Sequence, residues 1–331
     1  MNSTATNART VLLPAIGDLV LDDTMKRFLD EGGRSILLGE TREEYIGRKM
    51  SANRCETETG YDFLEITNEV TRRVGTCIVA LDQEPAGILR LHGLVPQIPG
   101  LRDLHTMNSD AIETISKDVA CAARKLGITM FLSPIVDVVS GANPWLVNRT
   151  LGTDPVEVGR VASAFIRGIQ GEGIIATAKH FPGHHDIDAD PAVSLAAVRG
   201  NRADLEPGFV PFRAIIAAGV KAIMTGPAMV PALDPINPSS LSTITIDLLR
   251  KEFGFDGLIV SDDIDAKATL RDSTPALCAI AALNAGSDLL LLAAGEHLPH
   301  ISEAIVDAVS KGRLSPARLE EAADRVRRYT L

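Results

Sequence analysis

The sequence predicts an α/β fold: a single-domain, TIM-like (β/α)8 barrel that spans residues 1–331. Eight short apolar runs, and the amphipathic stretches that separate most of them, carry this prediction. Repeated strand–helix units build a parallel sheet with helices on both faces. Eight such units in 331 residues fit a closed barrel, and a doubly wound open sheet is the alternative.

Each predicted strand is a short run of buried-type residues, and each predicted helix shows apolar residues at helical spacing. The strands are Thr10–Pro14, Ser35–Leu38, Thr76–Leu81, Ile128–Ser133, Ile174–Ala178, Val220–Thr225, Leu258–Val260 and Asp288–Leu292. The helices include Asp22–Leu29, Tyr61–Val74, Pro155–Gln170, Asp204–Ala218, Thr274–Ala285 and a charged C-terminal helix that starts near Ser315. No stretch rich in Gly, Ser or Pro divides the chain, so one domain is expected.

Composition narrows the class of protein. Hydrophobic residues make up 45% and charged residues 23%, as in ordinary globular proteins. A net charge of −10 argues against nucleic acid or an anionic membrane as partner. No apolar run reaches the roughly 18 residues of a membrane span, and the N-terminus lacks a signal-peptide pattern. Scattered cysteines without CxxC spacing indicate reduced thiols and a cytoplasmic location.

Ionisable residues follow the predicted strands at the point where each strand ends. Asp82-Gln83-Glu84 follow the third strand, Asp137 the fourth, Lys179-His180 the fifth and Ser261-Asp262-Asp263 the seventh. The C-terminal ends of all barrel strands meet at one rim, where the chemistry of such barrels lies. The sequence therefore predicts a polar pocket at this rim, and independent polar surface loops are the alternative.

The stretch after the fifth strand, ATAKHFPGHHDIDAD at 176–190, carries a family resemblance. Its KHFPGH resembles the strand-five signature of the bacterial β-N-acetylglucosaminidases of glycoside hydrolase family 3. That family consists of (β/α)8 barrels with an aspartate nucleophile, and the resemblance implies that Lys179 and His180 bind sugar. The family loop continues to Asp-Ser-His, whose histidine is the acid/base. Here the equivalent place reads Asp190-Pro191-Ala192.

The seventh-strand motif, GFDGLIVSDDIDAK at 254–267, is the second strong match. The resemblance implies that Asp262 is the nucleophile. Independently, a carboxylate at a strand end can be held rigidly and kept ionised by neighbouring donors. The alternative makes Asp262 or Asp263 a helix N-cap.

Two further motifs are similar to the family's sugar-binding segments. ALDQEPAGILRLHG at 80–93 resembles the strand-three motif and implies that Asp82 and Arg90 hold sugar hydroxyls, although Pro85-Ala86 replaces the usual Gly-Gly. An internal Asp82–Arg90 ion pair is the alternative. SPIVDVVSGANPWLVNRTLGTDP at 133–155 places Arg149 at the position of a sugar-binding arginine. A solvated surface charge is the alternative there.

The substrate pocket departs from the family elsewhere as well. MTGPAMVPALDP at 224–235 has Pro227 where relatives usually have His, and Ala266 stands where Met is common. The single Trp and three Tyr leave few aromatic platforms, which favours a small glycoside over a polysaccharide. These changes predict an altered sugar pocket.

The missing histidine leaves three outcomes open. His185, where relatives usually carry Gly, or another group in the loop (His184, Asp186, Asp188 or Asp190) supplies the proton. Alternatively, the substrate has a leaving group that needs no proton, or the protein binds sugars without hydrolysing them. A metal site in HHDIDAD is disfavoured because adjacent histidines rarely bind one ion together, and no cofactor or metal is expected.

The sequence thus predicts a cytoplasmic retaining glycosidase acting on a β-linked N-acetylhexosaminide or a modified small sugar. Asp262 is the predicted nucleophile and His185 the candidate acid. Asp82, Arg90, Arg149, Lys179 and His180 are the predicted sugar-binding residues. A sugar-binding protein without activity, or a diverged enzyme that uses the same pocket for another reaction, is the alternative. The expected partner is a small-molecule glycoside, with no nucleic acid and no membrane.

Overall fold

A computed structural model describes residues 3–330, apart from the side chain of Arg42. Eight parallel strands close into a barrel in which each strand pairs with the next along the chain and the last pairs with the first. The barrel strands are β1 (Leu12–Ile16), β2 (Ser35–Leu38), β3 (Ile78–Leu81), β4 (Met130–Phe131), β5 (Ile175–Phe181), β6 (Ala222–Thr225), β7 (Leu258–Ser261) and β8 (Leu289–Ala293). The predicted (β/α)8 barrel is confirmed, and the open-sheet alternative is wrong.

Helices surround the barrel and connect its strands. They are Ser3–Thr10, Asp23–Asp30, Arg42–Gly47, Ala52–Thr57, Gly60–Val74, Leu101–Thr106, Ser109–Lys125, Pro155–Gly171, Glu206–Ala217, Thr243–Asp247, Lys267–Leu270, Pro275–Ala285, His297–Ser310 and Pro316–Arg328. Single helical turns at Arg202–Leu205, Ser239–Leu241 and Leu248–Glu252, and a hairpin of Met229–Val230 with Asp234–Pro238, complete the connections. Among the described residues, no helix is long and apolar enough to cross a membrane.

Two apolar layers hold the barrel together. Side chains that alternate along the strands, such as Leu13, Ile78, Met224 and Val260, fill the barrel interior. The other face of the strands packs against the helices in one continuous core. In the closed barrel each strand forms backbone hydrogen bonds with a neighbour on both sides. The polar residues at the strand ends are therefore held on a rigid frame.

The first strand begins two residues later than predicted. Thr10 belongs to the helix Ser3–Thr10, which the sequence analysis did not predict. Its sequence, STATNART, shows no apolar stripe, but Ala8 is fully buried where the helix packs against His297–Ser310 and Pro316–Arg328. Tertiary packing therefore decides this helix, because its own pattern does not.

Candidate active site

A buried ion cluster joins the end of β3 to β5 and to the loop after β4. The Lys179 Nζ lies 2.6 Å from Asp82 Oδ1 and 2.9 Å from Glu84 Oε1. Arg149 donates from Nε and Nη2 to the two oxygens of Glu84, at 3.1 and 2.6 Å. All four side chains are buried. The solvated-charge alternative for Arg149 is therefore excluded.

The charges of this cluster depend on one another. Burial alone would raise the pKa of Glu84, but the Arg149 guanidinium and the Lys179 ammonium outweigh it and hold that pKa well below its usual range. Burial would lower the pKa of Lys179, yet Asp82 and Glu84 raise it above its ordinary value. Burial raises the pKa of Asp82, and Lys179 offsets this only in part. The cluster therefore presents fixed cationic donors beside a carboxyl group.

Asp137 lies in the segment that follows β4, and its carboxylate binds the loop after β5. Its Oδ2 accepts hydrogen bonds from the backbone N–H of His180 at 2.9 Å and lies 2.8 Å from the His180 Nδ1. Its Oδ1 accepts from the backbone N–H of His184 at 2.7 Å. Burial would raise the pKa of Asp137, but His180 and His184 outweigh it and lower that pKa. Asp137 is thus an ionised anchor that orients the His180 ring.

His180 brings β5 to the predicted nucleophile. Its Nε2 lies 3.8 Å from Asp262 Oδ2, while Nδ1 is occupied by Asp137. The ring packs on Trp145, with centroids 4.3 Å apart. Burial lowers the pKa of His180, although Asp137 and Asp262 oppose this, so the imidazole is neutral at pH 7.

Asp262 is held by the backbone at the end of β7. Its own N–H donates to Thr225 O at 3.0 Å and to Ser240 Oγ at 3.2 Å. Its Oδ1 accepts from the Asp263 N–H at 2.7 Å. The helix Lys267–Leu270 begins only after Ala266, so neither Asp262 nor Asp263 is its N-cap. A rigid and nearly buried carboxyl group therefore stands at the rim.

A cavity of about 250 Å³ opens at the C-terminal rim, and Asp82 lines it, whereas Lys179, His180 and Asp262 do not. Leu37, Leu291 and Leu292 form an apolar floor, and Asp82 and Asp263 bring carboxyl groups to its wall. Known ligand pockets span roughly 300–1,000 Å³. At about 250 Å³ this cavity is smaller than that range, and it fits one sugar ring better than a chain.

Two lining residues of this cavity were missed by the sequence analysis. Glu40 follows β2, and Tyr45 lies on the short helix Arg42–Gly47. Burial, with the charges of Asp262 and Asp263, raises the pKa of Tyr45, so its hydroxyl stays protonated. Glu84 and Asp137 were noted at strand ends but given no role. No apolar pattern marks Glu40 or Tyr45, and only the closed barrel brings them to the pocket.

The structure does not bring Arg90 into the cavity. Its guanidinium is fully buried and donates to both Glu58 oxygens, at 2.6 and 3.2 Å, and to Gly39 O at 3.1 Å. The ring of Phe63 lies 4.8 Å beneath it. The predicted alternative, an internal pair with Asp82, is wrong, because Arg90 pairs with Glu58. Arg90 supports the segment that carries Glu40.

His185 also lies apart from the other predicted residues. It lines a separate surface pocket together with Ser140, Asp186 and Arg199. Burial lowers the pKa of His185, although Asp186 and Asp204 act against this. Its ring therefore stands outside the group formed by Lys179, His180 and Asp262.

The Asp190-Pro191-Ala192 segment is packed into the rim. Asp190 Oδ2 accepts from Arg48 Nη2 at 2.7 Å, and Oδ1 accepts from the Ala192 N–H at 2.9 Å. The backbone N–H of Lys267 donates to Ala192 O, and that of Ala268 to Pro191 O. Ala192 itself is buried. A methyl group thus fills this position of the loop, and it cannot donate a proton.

The loop histidines do not form a metal cluster. Within residues 3–330, no three His, Cys, Asp or Glu side chains stand close enough together to hold a metal ion. His184 lies against Asp137 and under Trp145, with its Nδ1 3.2 Å from His180 O. Gly226 passes so close that a Cβ there would overlap the His184 ring. His184 is therefore a packed residue of the rim.

A pocket on the rim of a (β/α)8 barrel, lined by the carboxyl groups of Glu40, Asp82 and Asp263, is typical of a small-polar-ligand site in this fold class. Lys179 lies behind it, paired with Asp82. Residues 49–329 match the model of the glycosyl hydrolase family 3 N-terminal domain, so the chain belongs to that family. Glu40 and Tyr45 lie outside the matched residues.

Individual relatives agree with this assignment. The chain is 28% identical over 257 residues to the beta-hexosaminidase LpqI of Mycobacterium tuberculosis, covering 75% of this chain and 66% of the relative. It is 31% identical over 254 residues to a beta-hexosaminidase of Stenotrophomonas maltophilia, covering 73% of each. Across the first relatives the match spans 64–66% of their length, which is less than two thirds.

The fold is shared with solved structures. A glycoside hydrolase family 3 beta-N-acetylglucosaminidase from Paenibacillus superposes with a TM-score of 0.88 at 26% identity, covering 98% of this chain and 61% of the other. A beta-N-acetylhexosaminidase from Beutenbergia cavernae gives a TM-score of 0.86 at 22% identity, covering 100% and 99%. The second likeness is one of fold alone.

Proposed function

We propose that this chain is a retaining β-glycosidase that acts on a β-linked N-acetylhexosaminide or a modified small sugar, with Asp262 as nucleophile. The observation that carries the proposal is the position of Asp262. Its carboxyl group is fixed at the end of β7 with Oδ2 3.8 Å from His180 Nε2, on the same rim as the Lys179–Asp82 pair. Membership of glycosyl hydrolase family 3 supports the reaction class.

In the proposed reaction, an Asp262 oxygen attacks the anomeric carbon and the bond to the aglycone oxygen breaks. The products are a glycosyl ester on Asp262 and an alcohol, once the leaving oxygen has taken up a proton. Water then attacks the same carbon, releases the sugar with its original anomeric configuration and restores the carboxylate. The backbone contacts of Asp262 support this role, because an attacking group must be held within fractions of an ångström.

The ion cluster is suited to orienting the sugar. Asp82 lines the cavity and can accept hydrogen bonds from sugar hydroxyls, and Lys179 can donate to their oxygens. Arg149 and Glu84 lie behind Lys179 and fix its position. We therefore propose Asp82 and Lys179 as direct ligands and Arg149 as a positioning residue. Arg90, predicted as a ligand, supports Gly39 instead.

The proton donor is the unassigned part of this mechanism. His185 can serve only if its loop moves, because its ring lines the separate pocket with Asp186 and Arg199. Asp186 and Asp188 pair with Arg199, and Asp190 pairs with Arg48. Substrates whose leaving group departs as a stable anion need no donor, so activated aryl glycosides are the first substrates to try.

A second candidate function is sugar binding without hydrolysis. The packed Ala192 favours it, because a methyl group stands at the loop position where the family's acid/base histidine is expected. General acid assistance is typically worth about 10²–10⁴-fold. Turnover of an aryl β-N-acetylglucosaminide would support the glycosidase, whereas binding of sugars with no turnover of any aryl β-glycoside would support the binder.

We also propose a cytoplasmic location. Its support is the chemistry of Cys55, Cys77, Cys121 and Cys278, which form no disulfide in the described part of the chain. Fractionation of the native host and thiol labelling before lysis would test it. Recovery of the chain from an extracytoplasmic fraction would contradict it.

A further inference from the structure

A carboxyl group that the family motifs do not include stands in the wall of the cavity. Glu40 follows Gly39 at the end of β2 and shares the cavity with Asp82, Tyr45 and Asp263. Its Oε1 is shielded from solvent and has no hydrogen-bond partner among the described residues. Buried polar atoms nearly always form a hydrogen bond, so an oxygen without a partner beside a cavity indicates a position where a ligand can donate one.

The charges around Glu40 do not balance. Three carboxyl groups, Glu40, Asp82 and Glu84, interact electrostatically with one another in this corner of the rim. Lys179 forms ion pairs with Asp82 and Glu84, and Arg149 forms an ion pair with Glu84. Of these three carboxyl groups, Glu40 is therefore the one that forms no ion pair with a described cationic side chain.

Arg90, another cation near this corner of the rim, does not form an ion pair with Glu40 either. Its guanidinium is committed to both oxygens of Glu58 and to Gly39 O. Burial, and next the charge of Asp82, raise the pKa of Glu40 to about 8, although Arg90 and Lys179 lower it. Without a ligand, Glu40 therefore carries a proton at neutral pH, and a bound cation would displace that proton.

The segment that carries Glu40 is rigid. The N–H of Gly39 donates to Ile16 O at 2.9 Å, and Gly39 O accepts from Arg90 Nε. Directly after it, Thr41 and Glu44 form a capping box at the start of the next helix. The backbone on both sides of Glu40 is thus held in place, which favours a preorganised recognition group.

We propose that Glu40 makes this cavity a subsite for a cationic amine, so that the preferred sugar carries a free amino group in place of an acetamido group. This rests on the proposed function of the site and names its substrate class. An ammonium group supplies three N–H donors and the missing positive charge, whereas an acetamide supplies one N–H and no charge. Pairing with an ammonium group would replace the proton that Glu40 carries in the empty cavity and add one more ion pair to the cluster.

The test compares three probes that differ at one position: glucosamine, N-acetylglucosamine and glucose. Isothermal titration calorimetry at pH 7 on the full chain should give about ten-fold or tighter binding of glucosamine than of N-acetylglucosamine. Glu40→Gln keeps the size and removes the charge, and it should abolish this preference. Glu43→Gln, an exposed carboxyl group on the adjacent helix, is the matched control and should keep it.

A second measurement uses only the wild-type chain, so its result does not depend on whether the Glu40→Gln variant folds. At pH 6–7, glucosamine should release a proton from Glu40 on binding, which appears as a binding heat that depends on the buffer's ionisation heat. Glucose should release none. Equal or tighter binding of N-acetylglucosamine, no proton release, or no binding of any of the three sugars would overturn the inference.

Turnover separates this inference from the proposed glycosidase. Both aryl β-glycosides, of glucosamine and of N-acetylglucosamine, should be assayed with the wild type. Cleavage of the N-acetyl substrate alone overturns the inference and leaves the glycosidase proposal standing. Tight, Glu40-dependent binding of glucosamine without cleavage of either substrate supports the inference and overturns the glycosidase.

Discussion

At the scale of single residues, Asp262 and His180 are the centre of the site. Asp137 fixes the His180 ring through Nδ1, which leaves Nε2 directed towards Asp262. A chain of carboxylate, imidazole and carboxylate places one rigid acidic oxygen at the rim, and burial lowers the pKa of the imidazole although both carboxylates raise it. Such an arrangement suits a carboxylate that must be ionised when it attacks.

Removal of the Asp262 carboxylate should abolish turnover of an aryl β-glycoside. The expected loss is at least about 10³-fold for Asp262→Ala, because covalent catalysis ends with the attacking group. Circular dichroism should show an unchanged fold. Asp324→Asn, which changes an exposed carboxyl group on the last helix, is the control and should keep full activity. Full activity in Asp262→Ala would contradict the assignment.

His185→Ala tests whether this residue supplies the proton. If it does, a substrate with a sugar-alcohol leaving group should lose about 10²-fold or more in kcat, while a nitrophenyl substrate loses little in the first step. The pocket that holds His185 apart from Asp262 leads us to expect small and equal losses. A large loss confined to the poor leaving group would show that the loop moves during catalysis.

Glu40 should make stability depend on pH. Its pKa is raised from 4.5 to about 8 in the folded chain, so the folded state binds a proton that the unfolded state has lost. The resulting stability is present below about pH 4.5 and is lost as pH rises through 8. The melting temperature of Glu40→Gln should therefore gain on wild type between pH 5 and 8. A constant difference would contradict the proposed burial of this carboxyl group.

At the scale of elements, the sequence was sufficient to predict the strands but not the loops. All eight predicted strands lie on observed strands, because buried parallel strands read as continuous apolar runs. The fourth is only Met130–Phe131, where Ile128–Ser133 was predicted, although the N–H groups of Thr129 and Leu132 still donate to Val79 O and Leu81 O beside it. The proximity of Lys179 to Asp82 and of His180 to Asp262 followed from strand ends alone.

Other site residues could not be predicted because their positions depend on tertiary contacts. Arg90 matches a family motif, yet its side chain turns to Glu58, which lies 32 positions earlier in the sequence. Glu40 reads as an ordinary polar residue after an apolar strand. It shares a cavity with Tyr45 and Asp82 only because the folded barrel brings these separate segments together. Neither fact has a local sequence signal.

Two rim loops are joined by the Arg48–Asp190 ion pair, at 2.7 Å. The pair is partly exposed, so Arg48→Ala should cost at most about 1 kcal/mol of stability. It should, however, speed amide hydrogen exchange around Ala192, because Asp190 would lose one of its two anchors. Arg167→Ala, which breaks a surface pair with Glu113, is the control and should leave that exchange unchanged.

At the scale of the whole molecule, stability and function lie at opposite ends of the barrel. At the N-terminal end, the fully buried Asp288 accepts from Arg250 at 2.6 Å, Arg318 at 2.8 Å and Arg325 at 3.2 Å. It also accepts from the Ile259 N–H at 3.0 Å and so ties β7 to the last helix. This network does not line the cavity at the opposite rim, and its position at the N-terminal end of the barrel indicates a structural role.

Asp288→Ala should destabilise the chain by at least about 2 kcal/mol, because three half-buried guanidinium groups lose the fully buried carboxylate that they share. Chemical denaturation measures this loss. Asp324→Ala, at an exposed pair with Arg327, should cost less than about 1 kcal/mol. Equal losses for the two variants would contradict a structural role of the network. That residues 1–331 form one domain stays a prediction, which limited proteolysis can test.

The central claim is the covalent role of Asp262, and mechanism-based labelling tests it most directly. A 5-fluoro β-glycosyl fluoride slows hydrolysis of the glycosyl ester, so the intermediate can be trapped and its mass measured. One sugar should add to the wild-type chain, on the peptide that contains Asp262, and none to Asp262→Asn. An active preparation that takes up no label, or takes it up on any other residue, would contradict the account.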